Sequence, residues 1–170
     1  MDKIIATVLL IVGGVTCTVM VINTAIPAIH DSSNDLASVA DTLDNRIKTD
    51  IDIIQVIGEL DSGGSFDDSD ADGVFDVFVW VKNVGKTGVG AIDTCDVFYG
   101  QTGNFKRYTY DASDTVRPAW HYEIEGGGAD WEIADTCRFE LTFSSAEATG
   151  TYWVKVILPN GIWADHDFSM

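Results

Sequence analysis

Hydrophobic and polar positions fall along this chain in three successive patterns, each predicting a different element. Residues 4–29, IIATVLLIVGGVTCTVMVINTAIPAI, include no charged side chain. At about 1.5 Å per residue, roughly 20 of them cross the hydrocarbon layer of a bilayer. A cleaved secretory signal is the alternative, but its apolar stretch is only about 7–15 residues long and ends in small residues. Val19, Met20, Val21 and Ile22 stand where those would be sought, and Thr24-Ala25 is a weak cleavage candidate. A retained helix is the better reading, although Asp2 and Lys3 are too few to orient it.

Beyond Pro27, apolar Leu36, Val39, Ala40, Leu43, Ile47 and Ile51 recur at three-and-four spacing, with Asp35, Asp41, Asp44, Asn45 and Lys48 between them. That period predicts an amphipathic extension of the helix. It is either kinked near Pro27 or restarted with Asp31-Ser32-Ser33 as a cap. The third pattern begins near residue 51. IDIIQVIGEL, VFDVFVWVKNVG, VGAIDTCDVFYG, FKRYTYDA, AWHYEIEG, TCRFELTFS and TYWVKVILPNG are short, rich in β-branched and aromatic residues, and bounded by turn formers. Val77, Val79 and Val81 alternate with Phe78, Trp80 and Lys82, as half-buried strands require. The expected fold class is α+β: a long N-terminal hydrophobic helix over 1–49, then an antiparallel immunoglobulin-like β-sandwich over 50–170.

Charge sharpens this picture. The 170 residues carry a net charge of -17 with 46% hydrophobic residues, so a core is affordable while a phosphate backbone would be repelled. No nucleic-acid partner is expected, and divalent cations are natural counterions. The richest acidic stretch is SFDDSDADGVFD, 65–76. Asp68, Asp70, Asp72 and Asp76 converge in a tightly wound loop, Gly73 permits its turn, and Val74 can add a carbonyl. Hard oxygen ligands in that number select calcium. A solvated turn, with Asp and Gly present for turn chemistry alone, is the alternative. Of three cysteines, Cys17 sits in the apolar helix. Outside the cytoplasm, Cys95 and Cys137 would form a disulfide worth about 3–4 kcal/mol; otherwise they are two buried thiols.

No catalytic constellation emerges, and an enzyme is not expected. Gly85-Lys86-Thr87 lacks the earlier glycine of a phosphate loop. His30, His121 and His166 are scattered, and no serine stands in a G-x-S-x-G elbow. Glu123 and Glu125 read as one solvated strand face. The five tryptophans suit core packing, subunit contacts or an aromatic sugar-binding face.

The helix at 1–29, the helix exit RIKTDIDIIQV at 46–56 and VFVWVKNVGKTGV at 77–89 together resemble the archaellin-like branch of the type IV pilin superfamily, including the related archaellum stator proteins. The third stretch is similar to the V-x-V-K-N-x-G signature of that family, and TYWVKVILPNGIWADHDF to its closing strand and turn. The resemblance implies a helix packed in a filament core beneath an outer β-domain, in an extracellular motility or adhesion filament. Ile5 stands where bacterial pilins carry an acidic fifth residue, which favours the archaellin side. Family precursors carry a short basic leader, so Met1 marks either a processed terminus or an unprocessed helix; no Asn-x-Ser/Thr sequon occurs.

Physics supports the polymer independently. A span apolar all round needs lipid before assembly and identical helices after it, and Gly13 and Gly14 allow close approach. Ile4, Ile5, Val8, Leu9, Val12, Val19, Ile22 and Ile26 are the expected packing residues. The rivals are a membrane-held anchor or stator protein, and a tethered calcium-dependent binding module.

Overall fold

In the computed structural model, which describes residues 1–65, 67–68 and 73–170, one helix precedes eight strands. Helix α1 spans Asp2–Lys48 without a break, passing through Pro27. The Asp31-Ser32-Ser33 restart therefore does not occur. The strands are β1 (Ile51–Gly58), β2 (Phe75–Asn83), β3 (Asp96–Gln101), β4 (Asn104–Tyr110), β5 (Ala119–Ile124), β6 (Thr136–Phe143), β7 (Thr151–Ile157) and β8 (Trp163–Ser169). A short 3₁₀ turn, Ile92–Thr94, leads into β3. The chain divides into two compact units, Met1–Leu43 and Asp44–Met170.

The strand order is β1-β2-β6-β5-β4-β3-β7-β8, and β1 lies beside β8, so the sheet wraps towards a barrel. All ladders are antiparallel except β4–β5, whose two pairs Thr109↔Ala119 and Tyr110↔Trp120 are parallel. That short ladder is the seam joining the two halves of the sandwich. The alternation read from β2 is the burial pattern found there. Val77, Val79 and Val81 are fully buried, facing Leu141, Phe139 and Cys137 across the β2–β6 ladder. Trp120 and Trp131 lie in the core, whereas Trp163 is more than half exposed. Every buried valine or leucine contributes roughly 1.5–3 kcal/mol over leaving it in water. The eighth strand is the one the pattern of the sequence leaves inside the closing turn. It is an edge strand with only Ala164 and Phe168 turned towards the core.

Candidate functional site

Among the described residues, none of α1 is buried. Ile4, Ile5, Val8, Leu9, Val12, Val19, Ile22 and Ile26 are between 48% and 70% exposed. The 26 residues of the charge-free stretch rise roughly 39 Å as a helix, more than the ~30 Å hydrocarbon layer. The helix is long and apolar enough to cross a membrane. Its few hydroxyls fit that solvent too. Thr7, Thr16, Thr18 and Thr24 each donate back to the carbonyl four residues earlier, at 2.8, 2.9, 2.8 and 3.0 Å. Those internal bonds pair all four hydroxyls within the helix itself, a feature that composition alone does not announce. Gly13 and Gly14 face open space, with nothing within 4 Å of where a Cβ would sit.

The V-K-N-x-G stretch turns out to be the socket that receives the end of this helix. Asn83 is wholly buried. Its amide nitrogen donates to the carbonyls of Thr87 (2.9 Å) and Glu132 (3.1 Å), and its side-chain oxygen accepts from the Gly85 N–H at 3.0 Å. Its backbone binds Asp135 and Ala134. The chain thus folds back at 83–87 so that Lys86 N–H reaches the last helical carbonyl, Lys48 O, at 2.6 Å, and Val84 N–H reaches Asp50 O. Gly85 is obligatory because a Cβ there would lie 2.6 Å from both Lys48 O and Asp50 N. On the other side, Thr49 accepts from Asn160 Nδ2 at 2.9 Å, tying the exit to the β7–β8 turn. A helix C-terminus normally leaves carbonyls unpaired; here the 83–87 turn gives the carbonyl of Lys48 a partner.

The remaining sequence-derived candidates fare differently. Asp70 and Asp72 of the proposed calcium loop lie outside the described residues. Of the others, Asp68 accepts from the Gly73 N–H at 2.8 Å, Val74 is half-buried, and Asp76 is buried at the start of β2. Cys95 and Cys137 are free thiols in this structure, not the bridge expected from the sequence. Both sit in the core, where a thiol packs as a small apolar group. Burial, then Asp96 and Asp93, pushes Cys95 up to about 12; burial, then Cys95 and Glu125, raises Cys137 too. Neither offers a thiolate near neutrality.

Sequence reasoning missed an ionic network on the outer face of β5 and β6. His121 lies 3.5 Å from Glu140 and 3.7 Å from Asp114, and Arg138 reaches Glu123 at 2.6 Å and Glu140 at 3.6 Å. Glu125 accepts from the Trp80 indole at 2.9 Å, so the acidic strand face is paired as well as solvated. The signal lies in cross-strand pairs of opposite sign, His121 opposite Glu140 and Glu123 opposite Arg138.

Comparison with known proteins places this geometry. A family model described as archaeal-type flagellin matches residues 3–168. An uncharacterised protein of Archaeoglobus fulgidus is 29% identical over 175 residues, covering 98% of each chain. The archaellum periplasmic stator protein FlaG of Sulfolobus acidocaldarius shares the fold with a TM-score of 0.55 at 17% identity, over 71% of this chain and 99% of that one. The FlaF–FlaG stator complex of the same organism matches at 0.54 and 17%, over 71% and 89%.

Proposed function

We infer that this chain, which belongs to the archaeal-type flagellin family, is a filament subunit of the archaellum type that assembles through its N-terminal helix. It waits in the membrane before assembly and is then displayed outside the cell in a helical homopolymer. One observation carries the reading: a 47-residue helix whose charge-free stretch is exposed on every side. Such a surface is stable in lipid or against copies of itself, and in water neither a lone helix nor a soluble monomer tolerates it. The two glycines add to this. Each costs about 1 kcal/mol relative to alanine in a helix interior, and among the described residues no neighbour needs the space they leave. Close helix–helix approach in an assembly gives them a use.

A second reading is favoured by the fold shared with the two archaellum stator chains. In it the helix stays in the membrane as an anchor and the sandwich binds a fixed envelope component. Shearing surface filaments from cells and identifying their subunits by mass spectrometry separates the two. Recovery of this chain as a major filament protein supports the subunit; its retention in the membrane fraction, with none in sheared filaments, refutes the subunit reading and leaves the anchor.

A further inference from the structure

Because β4 meets β5 only at its last two residues, its first half borders a cleft beneath the β6–β7 loop. The cleft has two lobes, of about 290 and 190 Å³, which share Lys106, Tyr108 and Glu147. Taken together they reach the range of roughly 300–1,000 Å³ in which small-molecule sites fall.

The smaller lobe is lined in part by Tyr99, only 1% exposed, whose hydroxyl has no hydrogen-bond partner among the described residues. A buried donor left unpaired is costly, and native proteins seldom keep one without a use. Ring packing does not explain it. Tyr99 stacks on Tyr152 at 5.4 Å, but its neighbours Phe143, at 5.3 Å, and Phe168, at 6.2 Å, do the same packing without a hydroxyl. The Tyr152 hydroxyl is already committed to the Ala148 carbonyl at 2.5 Å. Burial first, then Tyr152 and Glu147, keeps the Tyr99 hydroxyl protonated, so it is available as a donor.

The rest of the lining decides what such a donor would meet. Lys106 and Glu147 offset each other, and Arg107 is held by Asp96 at 2.6 Å, so neither a strong anion nor a cation is favoured. Donors and acceptors are mixed, with the amides of Gln101 and Asn104 in one lobe and the hydroxyls of Ser144 and Ser145 in the other. Tyr108 and Phe143 add apolar ring surface. Alternating hydroxyls above an apolar C–H face are the chemistry of a sugar ring, whereas a metal or a phosphate would find too few ligands of one sign.

We propose that this cleft binds one uncharged sugar unit of a glycan, with the Tyr99 hydroxyl donating from below, Glu147 accepting and Lys106 donating at the mouth. The test is saturation-transfer NMR on the full chain in a detergent without a sugar headgroup. The probes are the methyl glycosides of glucose, mannose, galactose and N-acetylglucosamine, with their disaccharides. At least one probe should bind with a dissociation constant in the roughly millimolar range. Tyr99→Phe, which keeps the ring, should weaken it at least tenfold while leaving the thermal midpoint unchanged or raised. Glu147→Gln, at a half-exposed position, should weaken it similarly, and Trp163→Ala on β8 should leave it unaltered. Absence of saturation transfer from every probe overturns the proposal, because a trapped water then suffices for Tyr99. Unchanged binding in both Tyr99→Phe and Glu147→Gln overturns it equally.

Discussion

At the scale of single residues, Asn83 and Gly85 matter most, because they hold the 83–87 turn against residues 48–50. Replacing Asn83 by alanine strips partners from buried carbonyls and an N–H at once. We expect Asn83→Ala to lower stability by about 2–3 kcal/mol in denaturant unfolding. Gly85→Ala, which drives a methyl into Lys48 O and Asp50 N, should lose about 1–3 kcal/mol. His121 gives the outer face a pH response of definite sign. The hydrogen bond to Glu140 raises its pKa above 6.5 against the opposing effect of burial, helped by the charges of Glu140, Asp114 and Asp76. Its contribution is complete below 6.5 and is lost as pH rises through the raised folded value. For Glu140, burial pushes upward, but His121, Arg138 and Arg117 outweigh it and hold the carboxyl below 4.5. That contribution is present above 4.5 and disappears as pH falls through the folded value. Thermal melts should therefore show this pair stabilising most between 4.5 and 6.5. His121→Gln should flatten the decline on the alkaline side; an unchanged slope would mean the imidazole does not couple to folding.

At the scale of elements, none of α1 is buried among the described residues, and changing its polarity should change where the protein goes. A charge at the centre of a membrane helix costs roughly 2.5–3.5 kcal/mol. Val12→Arg should shift the protein from the membrane pellet to the soluble or degraded fraction, read by fractionation and immunoblot. Gly13→Leu keeps the helix apolar, so it should preserve insertion yet reduce filament yield; normal filaments from that variant would show that the glycines serve no contact. The acidic stretch 65–76 runs into β2 in the sequence. We propose calcium binding there on the spacing of Asp68, Asp70, Asp72 and Asp76 in the sequence. Added calcium should raise the thermal midpoint and EGTA should reverse the rise, whereas equal midpoints in both would leave an ordinary turn.

At the scale of the whole molecule, the chain carries a net charge of -17 while residues 4–29 carry none; in the filament we infer, mutual repulsion would keep the β-domains apart while the helices associate. The division between rod and sandwich was legible because it is written in local patterns. A charge-free run longer than a bilayer and valines alternating along a strand each impose one conformation whatever surrounds them. The role of Asn83 and Gly85 was legible only as a family signature, because the contacts at residues 48–50 and 132 that give the local turn its use are distant in sequence. Strand β8 escaped the pattern because an edge strand packs on one side and keeps charges on the other. The parallel β4–β5 seam and the cleft beside it follow from how the sheet closes, and local propensity says nothing of closure. Nor did spacing reveal that Tyr99 would lose its partner while Tyr152 found one. The sequence by itself determined the kinds of element and their solvent, since hydrophobic period and charge act within a few residues. Tertiary structure alone decided which polar groups meet, because a hydrogen bond depends on ångström distances between strands that the chain brings together from far apart.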